Sequence, residues 1–101
     1  MWLFTMFDLP VDSREARRHY AEFRKTLVKH GFSMLQFSVY ARYHASEEAA
    51  ELHRGVIKAS LPPDGHVRIL AVTDRQFGKM ENYIGKKRAT TEKPPTQLEL
   101  F

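Results

Sequence analysis

Residues 1–10 read MWLFTMFDLP. From Met1 to Phe7 every side chain but Thr5 is apolar or aromatic, the composition of a central strand covered on both faces. Alternation along a strand puts Trp2, Phe4 and Met6 on one face and Leu3, Thr5 and Phe7 on the other. The run stops at Asp8-Leu9-Pro10. Pro10 has no N–H for a ladder and biases Leu9 towards extended geometry, so Asp8 falls at the carboxyl end of the strand.

Downstream, Asp12 with Glu15 three residues later reads as a capping box. The spacing predicts a helix over Ser13 to His30, with Ala16, Tyr20, Phe23 and Leu27 as a single apolar stripe and Gly31 as its stop. Phe32 to Tyr43 (FSMLQFSVYARY) alternates with the period of a strand. Twelve residues is long for one strand, so a break near Gln36 into two strands is expected. Ser46 opens a second helix with Glu47, Glu48 and Glu51 near its positive end and Ala49, Leu52, Val56 and Ile57 as its inner face. Leu61-Pro62-Pro63-Asp64-Gly65 closes it with turn chemistry, and Val67 to Thr73 (VRILAVT) is a further strand. Lys86-Lys87-Arg88 reads as a basic loop, Pro94-Pro95 as a stiff spacer, and Leu98 to Phe101 as a strand adding to a sheet edge of a partner chain. The order is βαββαβ with an extra C-terminal strand, a ferredoxin-like α+β arrangement with an antiparallel sheet. Residues 1–85 are assigned to that domain and 86–101 to a tail that meets a partner subunit. Helices cover only one face of such a sheet, yet the first strand is apolar on both. A partner's sheet in a homodimer resolves the conflict, because soluble proteins avoid large exposed apolar faces.

The chain has 101 residues, 43% apolar and 28% charged, the balance of one soluble globular domain rather than a disordered segment. With no cysteine, disulfides and thiolate metal sites are excluded. No stretch approaches the roughly 20 apolar residues of a membrane span, and Met1 to Phe7 lacks a basic leader, so a cytoplasmic protein is expected. The net charge of +4 suits a polyanionic partner. The five histidines share no ligand-like spacing and no phosphate-cradling glycine loop is present, which sets aside zinc and histidine-based chemistry.

Asp8 has two readings: a turn residue capping nearby N–H groups, or a functional carboxylate at the strand edge where α/β sites gather. One carboxylate is a poor magnesium site; a two-fold axis near Asp8 would supply a second. On the first helix Arg14, Arg17, Arg18, Arg24, Lys25 and Lys29 share one sector, with Glu15 and Glu22 on the other flank of the apolar stripe. This is either a solvated face or a track for a phosphate backbone. Phe37, Tyr40 and Tyr43 either stack on bases or pack in the core or an interface.

These residues, Phe7-Asp8-Leu9-Pro10, the basic helix, Gly31-Phe32, Gln36-Phe37-Ser38-Val39-Tyr40 and Val67 to Asp74, resemble in order and spacing the CRISPR-associated protein two family. The wording MFDLP, GFSMLQFSVY and VTDRQFGKM is similar to members that accompany a single large RNA-guided effector nuclease. The resemblance implies a ferredoxin-like homodimer that binds the CRISPR integrase, takes part in spacer acquisition and antiviral defence, and acts as a magnesium-dependent endonuclease on single-stranded RNA or on DNA. It implies Asp8 as catalytic residue and magnesium ligand, one copy from each protomer facing across the dimer axis, with Arg14, Arg17, Arg18, Arg24 and Lys25 as nucleic-acid contacts. Many members carry tyrosine before that aspartate; Phe7 here removes a hydroxyl from the neighbourhood of the metal. The alternative is a non-catalytic dimeric scaffold holding DNA for the integrase. A toxin-type ribonuclease and a dimerisation module of a transcription regulator are more distant readings.

Overall fold

The computed structural model describes residues 1–95. Its elements are β1 (Trp2–Asp8), α1 (Arg14–Lys29), β2 (Ser33–Gln36), β3 (Val39–Tyr43), α2 (Glu47–Ala59), β4 (His66–Val72), α3 (Asp74–Gly78), β5 (Asn82–Ile84) and β6 (Lys87–Ala89). The first six form the expected βαββαβ unit, with strand order β2-β3-β1-β4 and every pairing antiparallel. β1 is central, as its apolar composition requires. It runs beside β3 from Trp2↔Tyr43 to Met6↔Val39 and beside β4 from Trp2↔Val72 to Asp8↔His66. The molecule measures 39 × 38 × 20 Å, a slab two layers thick.

Both helices lie on the Leu3–Thr5–Phe7 face. Phe23 and Leu27 of α1 and Ile57 of α2 pack with Leu3, Phe7 and Tyr40 into one buried cluster. Each Phe or Leu removed from water there contributes roughly 1.5–3 kcal/mol. The opposite face is not left wholly to a partner. α3 turns back beneath β1, so Phe77 stacks on Trp2 with centroids 4.0 Å apart and Trp2 is buried. Phe4 and Met6 beside it are half-buried and Leu70 is exposed.

Local details differ from the sequence-based expectation in three places. The N-cap of α1 is Ser13, whose hydroxyl accepts from Ala16 N–H, rather than Asp12; Glu15 then sits one residue short of the capping-box position. The strand break expected near Gln36 falls directly after it, at Phe37-Ser38. Ser38 takes φ +63°, a role usually given to Gly or Asn, so the sequence carries no turn signal there. The inner face of α2 is Ala50, His53 and Ile57, and Leu52 is exposed. His53 stands where an apolar residue would complete that stripe, so apolar periodicity alone places the face one position away. Lys87 and Arg88 are not loop but belong to β6, which pairs with β5 around Gly85-Lys86. The proposed strand at Leu98 to Phe101 lies outside the described residues.

Candidate metal centre and nucleic-acid surface

β1 ends at Asp8 because Pro10 cannot extend the ladder. Alternation puts the Asp8 side chain on the sheet face away from the helices, where it is exposed. Register places His66 opposite Asp8 and Arg68 opposite Met6. Met6, Phe7, Asp8, His66 and Arg68 line a shallow hollow of about 210 Å³. The strand end is held from the loop before β4. Gly65 adopts φ +97°, and a Cβ there would stand 2.8 Å from the Asp8 carbonyl and 2.6 Å from Leu9 Cδ2. Among the described residues no group of three or more His, Asp or Glu side chains gathers to hold a metal ion, and Asp8 is the carboxylate that lines this hollow.

Phe7 occupies a different environment from the one the sequence suggested. Its ring packs on Phe23, Tyr40 and Tyr20 at centroid distances of 5.2, 5.7 and 5.8 Å, on the helix side of the sheet. A tyrosine hydroxyl at position 7 would point away from the Asp8 face, so phenylalanine there removes nothing from the hollow. His66 and Arg68 were missed in the sequence. Their signal is a polar residue at alternate positions of an otherwise apolar strand.

The six α1 cations are all exposed, but their surroundings differ. Arg18 stands 3.9 Å from both Glu15 and Glu22, which offsets its charge although these carboxylates lie beyond the basic sector. Arg24 Nε donates to the Tyr40 hydroxyl at 3.0 Å, tying it to the sheet. Arg17 donates to the Val11 carbonyl at 3.1 Å, which fixes it beside the β1–α1 turn and leaves its charge unpaired. Among the described residues Arg14, Lys25 and Lys29 have no ion-pair partner. Of the aromatic candidates, Tyr40 is core, Tyr43 packs edge-on to Trp2, and Phe37 is exposed.

The histidines do not scatter as their spacing suggested. His44 and His53 meet across α2 and β3, with His44 Nε2 2.9 Å from His53 Nδ1. His44 Nδ1 lies 3.1 Å from the Arg42 carbonyl, and Arg42 Nη1 lies 2.6 Å from His53 Nε2. One set of tautomers satisfies all three contacts: His44 donates from Nδ1, His53 donates to His44, and Arg42 donates to His53. Both rings are then neutral. Burial, then the Arg42 charge, pushes the His44 pKa down to about 4 and lowers that of His53 as well. A histidine whose folded pKa lies below its unfolded value stabilises the fold fully above about pH 6.5 and loses that contribution as pH falls towards 4. Moving from about pH 7.5 to about pH 5 is therefore expected to cost about 2 kcal/mol through His44. Urea unfolding at the two pH values measures it, and His44→Gln should flatten the difference.

The comparisons with known proteins bear on this edge of the sheet. A family model described as CRISPR associated protein Cas2 matches residues 1–80. The chain belongs to that family. As a Cas2-family chain it is 52% identical over 101 residues to the CRISPR-associated endoribonuclease Cas2 of Parvibaculum lavamentivorans, covering 100% of both chains. It is 50% identical over 101 residues to the protein of the same name from Flavobacterium psychrophilum, covering 100% of this chain and 88% of the other. A third relative of that name, from Acidovorax ebreus, is 44% identical over 85 residues, 84% of this chain and 83% of its own. The matched span contains β1, Asp8, α1 and β4. No helix among the described residues is long and apolar enough to cross a membrane.

Proposed function

We propose that this chain is a metal-dependent endoribonuclease of CRISPR adaptation, working as a homodimer with one Asp8 from each protomer at the reacting phosphate. The observation that carries it is an exposed carboxylate at the end of the central strand, beside Arg68, in a chain 52% identical to a relative named endoribonuclease. The partly covered face bearing Phe4, Met6 and Leu70 is the surface given to the second copy. Residues 1–85 make the domain, and 86–101 the segment that meets the partner subunit. Association with the CRISPR integrase and a cytoplasmic setting belong to the same reading. The non-catalytic scaffold is not favoured, since the relatives share a nuclease name.

The donor chemistry fits magnesium. A hard, exposed carboxylate oxygen with room for water suits a cation that takes one or two carboxylates and fills its remaining positions with water and phosphate. Magnesium, when bound, supplies a Lewis acid for a phosphoryl oxygen and lowers the pKa of a coordinated water. Asp8 would hold that cation, and two Asp8 side chains near one axis would repel one another unless a cation or proton lay between them. Arg68 offsets the charge of the phosphate in the hollow. The α1 cations carry the flanking phosphates. Cleavage of single-stranded RNA by wild type and Asp8→Asn, with magnesium and with a chelator, tests the assignment.

The α1 surface has its own expected result. Replacing Arg14 and Arg17 by Ala should weaken binding about equally on unrelated sequences. It should lower the log–log salt slope by roughly 0.7 for each single-strand phosphate no longer neutralised, or roughly 0.9 on B-DNA. Arg18→Ala should do less, because Glu15 and Glu22 already offset its charge. Filter binding across a salt series reads both; an unchanged slope in the double variant would show that this face does not meet the phosphates.

A further inference from the structure

Phe37 is 82% exposed, more than any other large apolar side chain among the described residues. Single exposed apolar residues are common and mean nothing alone. Three further observations set this one apart. The ring is braced from behind: it stacks on Tyr20 at 6.4 Å and 23°, Tyr20 packs edge-on to Phe7, and Phe7 stacks on Tyr40. The turn that presents it holds Ser38 at φ +63°, a conformation costly for a side chain other than Gly or Asn, with the Ser38 hydroxyl 3.4 Å from the Tyr20 hydroxyl. The turn is also fastened to the Asp8 strand, since Phe7 N–H donates to the Ser38 carbonyl at 3.0 Å. An aromatic ring thus stands at the end of the sheet where β1 delivers Asp8, beside Tyr20 on the helix side and across the sheet end from the Asp8 carboxylate, largely open to water.

We propose that Phe37 is a stacking platform for an unpaired base of the nucleic acid whose phosphate lies at Asp8, making it a positioning and specificity residue. The proposal rests on the Asp8 reading above for where the phosphate sits. Any base presents a π-face to an aromatic ring, so the contact tolerates sequence. Bases inside a duplex already stack on their neighbours, so the platform favours single strands. The ring costs little entropy to order on binding, because an aromatic side chain has only two rotatable bonds.

The experiment uses Phe37→Trp as a reporter, because the chain's other tryptophan, Trp2, is buried. In the presence of a chelator, so that nothing is cut, the full-length variant is titrated with a short single-stranded oligoribonucleotide, the same strand carrying abasic positions, and its duplex. The single strand should quench the new fluorescence saturably, and the abasic strand and duplex should not. Phe37→Ala should bind the single strand about tenfold more weakly and the duplex equally well. Phe37→Leu, apolar but without a π-face, should behave like Ala. Equal quenching by the abasic strand, wild-type binding by Phe37→Leu, or a change of oligomeric state in Phe37→Ala (a partner subunit covering the ring) would overturn the proposal. Because binding is read without cleavage, failure of Asp8 as the metal ligand shows separately, as Asp8→Asn cleaving at the wild-type rate.

Discussion

Asp8→Asn is expected to reduce magnesium-dependent cleavage of single-stranded RNA by on the order of a hundredfold or more while leaving the melting temperature nearly unchanged. Asparagine keeps the volume of aspartate and loses the charge that holds a hard cation. The side chain is exposed at a strand end, and no hydrogen bond or ion pair to it exists among the described residues, so folding does not depend on its charge. In the homodimer proposed above, removing the charge from the two Asp8 carboxylates would also remove their repulsion, so dimerisation should persist or strengthen. Three measurements separate the outcomes: cleavage rate with and without magnesium, strand binding in chelator, and sedimentation. Full activity in the variant would take Asp8 out of the mechanism. Wild type that cleaves no faster with magnesium than with chelator would revive the scaffold reading.

Gly65→Ala is expected to be the most damaging single-methyl change near the site. The added Cβ would stand 2.6 Å from Leu9 Cδ2 and 2.8 Å from the Asp8 carbonyl, and φ +97° is a backbone region that side chains rarely enter. The flexible Leu9 tip can move; the Asp8 carbonyl is backbone and moves only with β1. Conformational strain and displacement together should cost about 3 kcal/mol, which lowers the melting temperature by roughly 10–20 °C in a domain of this size. Cleavage by the surviving folded fraction should also fall, because the shift is delivered to the Asp8 backbone. Gly85→Ala is the control. Gly85 also has a positive φ, +61°, but a Cβ there meets nothing within 4 Å. It should cost only the conformational penalty, about 1–2 kcal/mol, and leave cleavage unchanged. Thermal melts and cleavage rates of the two variants, compared at a temperature where both are folded, decide the matter. Equal effects at the two positions would mean that the Asp8 carbonyl is not held by this close approach.

Sequence by itself determined the elements whose signals are local. The apolar run of β1 and its stop at Pro10, the α1 stripe of Tyr20, Phe23 and Leu27, the Ser46 cap and the βαββαβ order all depend on residues a few positions apart. Periodicity and capping chemistry express such neighbours directly. The position of Asp8 at a strand end was legible for the same reason. Tertiary structure alone decided what gathers around it. His66 and Arg68 stand out in β4 as polar residues at alternate positions, but which residues of β1 they face is set by the β1–β4 register, which pairs residues far apart in the chain. The ring at position 7 faces the helices, not the carboxylate, because alternation puts residues 7 and 8 on opposite faces of the sheet. The neutral pairing of His44 with His53 and the bracing of Phe37 by Tyr20 likewise join separate elements. The α2 face is not legible from periodicity because His53 sits where an apolar residue is expected, and besides Ala49 of its own helix it meets Arg42 of β3 and His44 just beyond it. Local chemistry chose the pieces; long-range packing chose which side chains share the site.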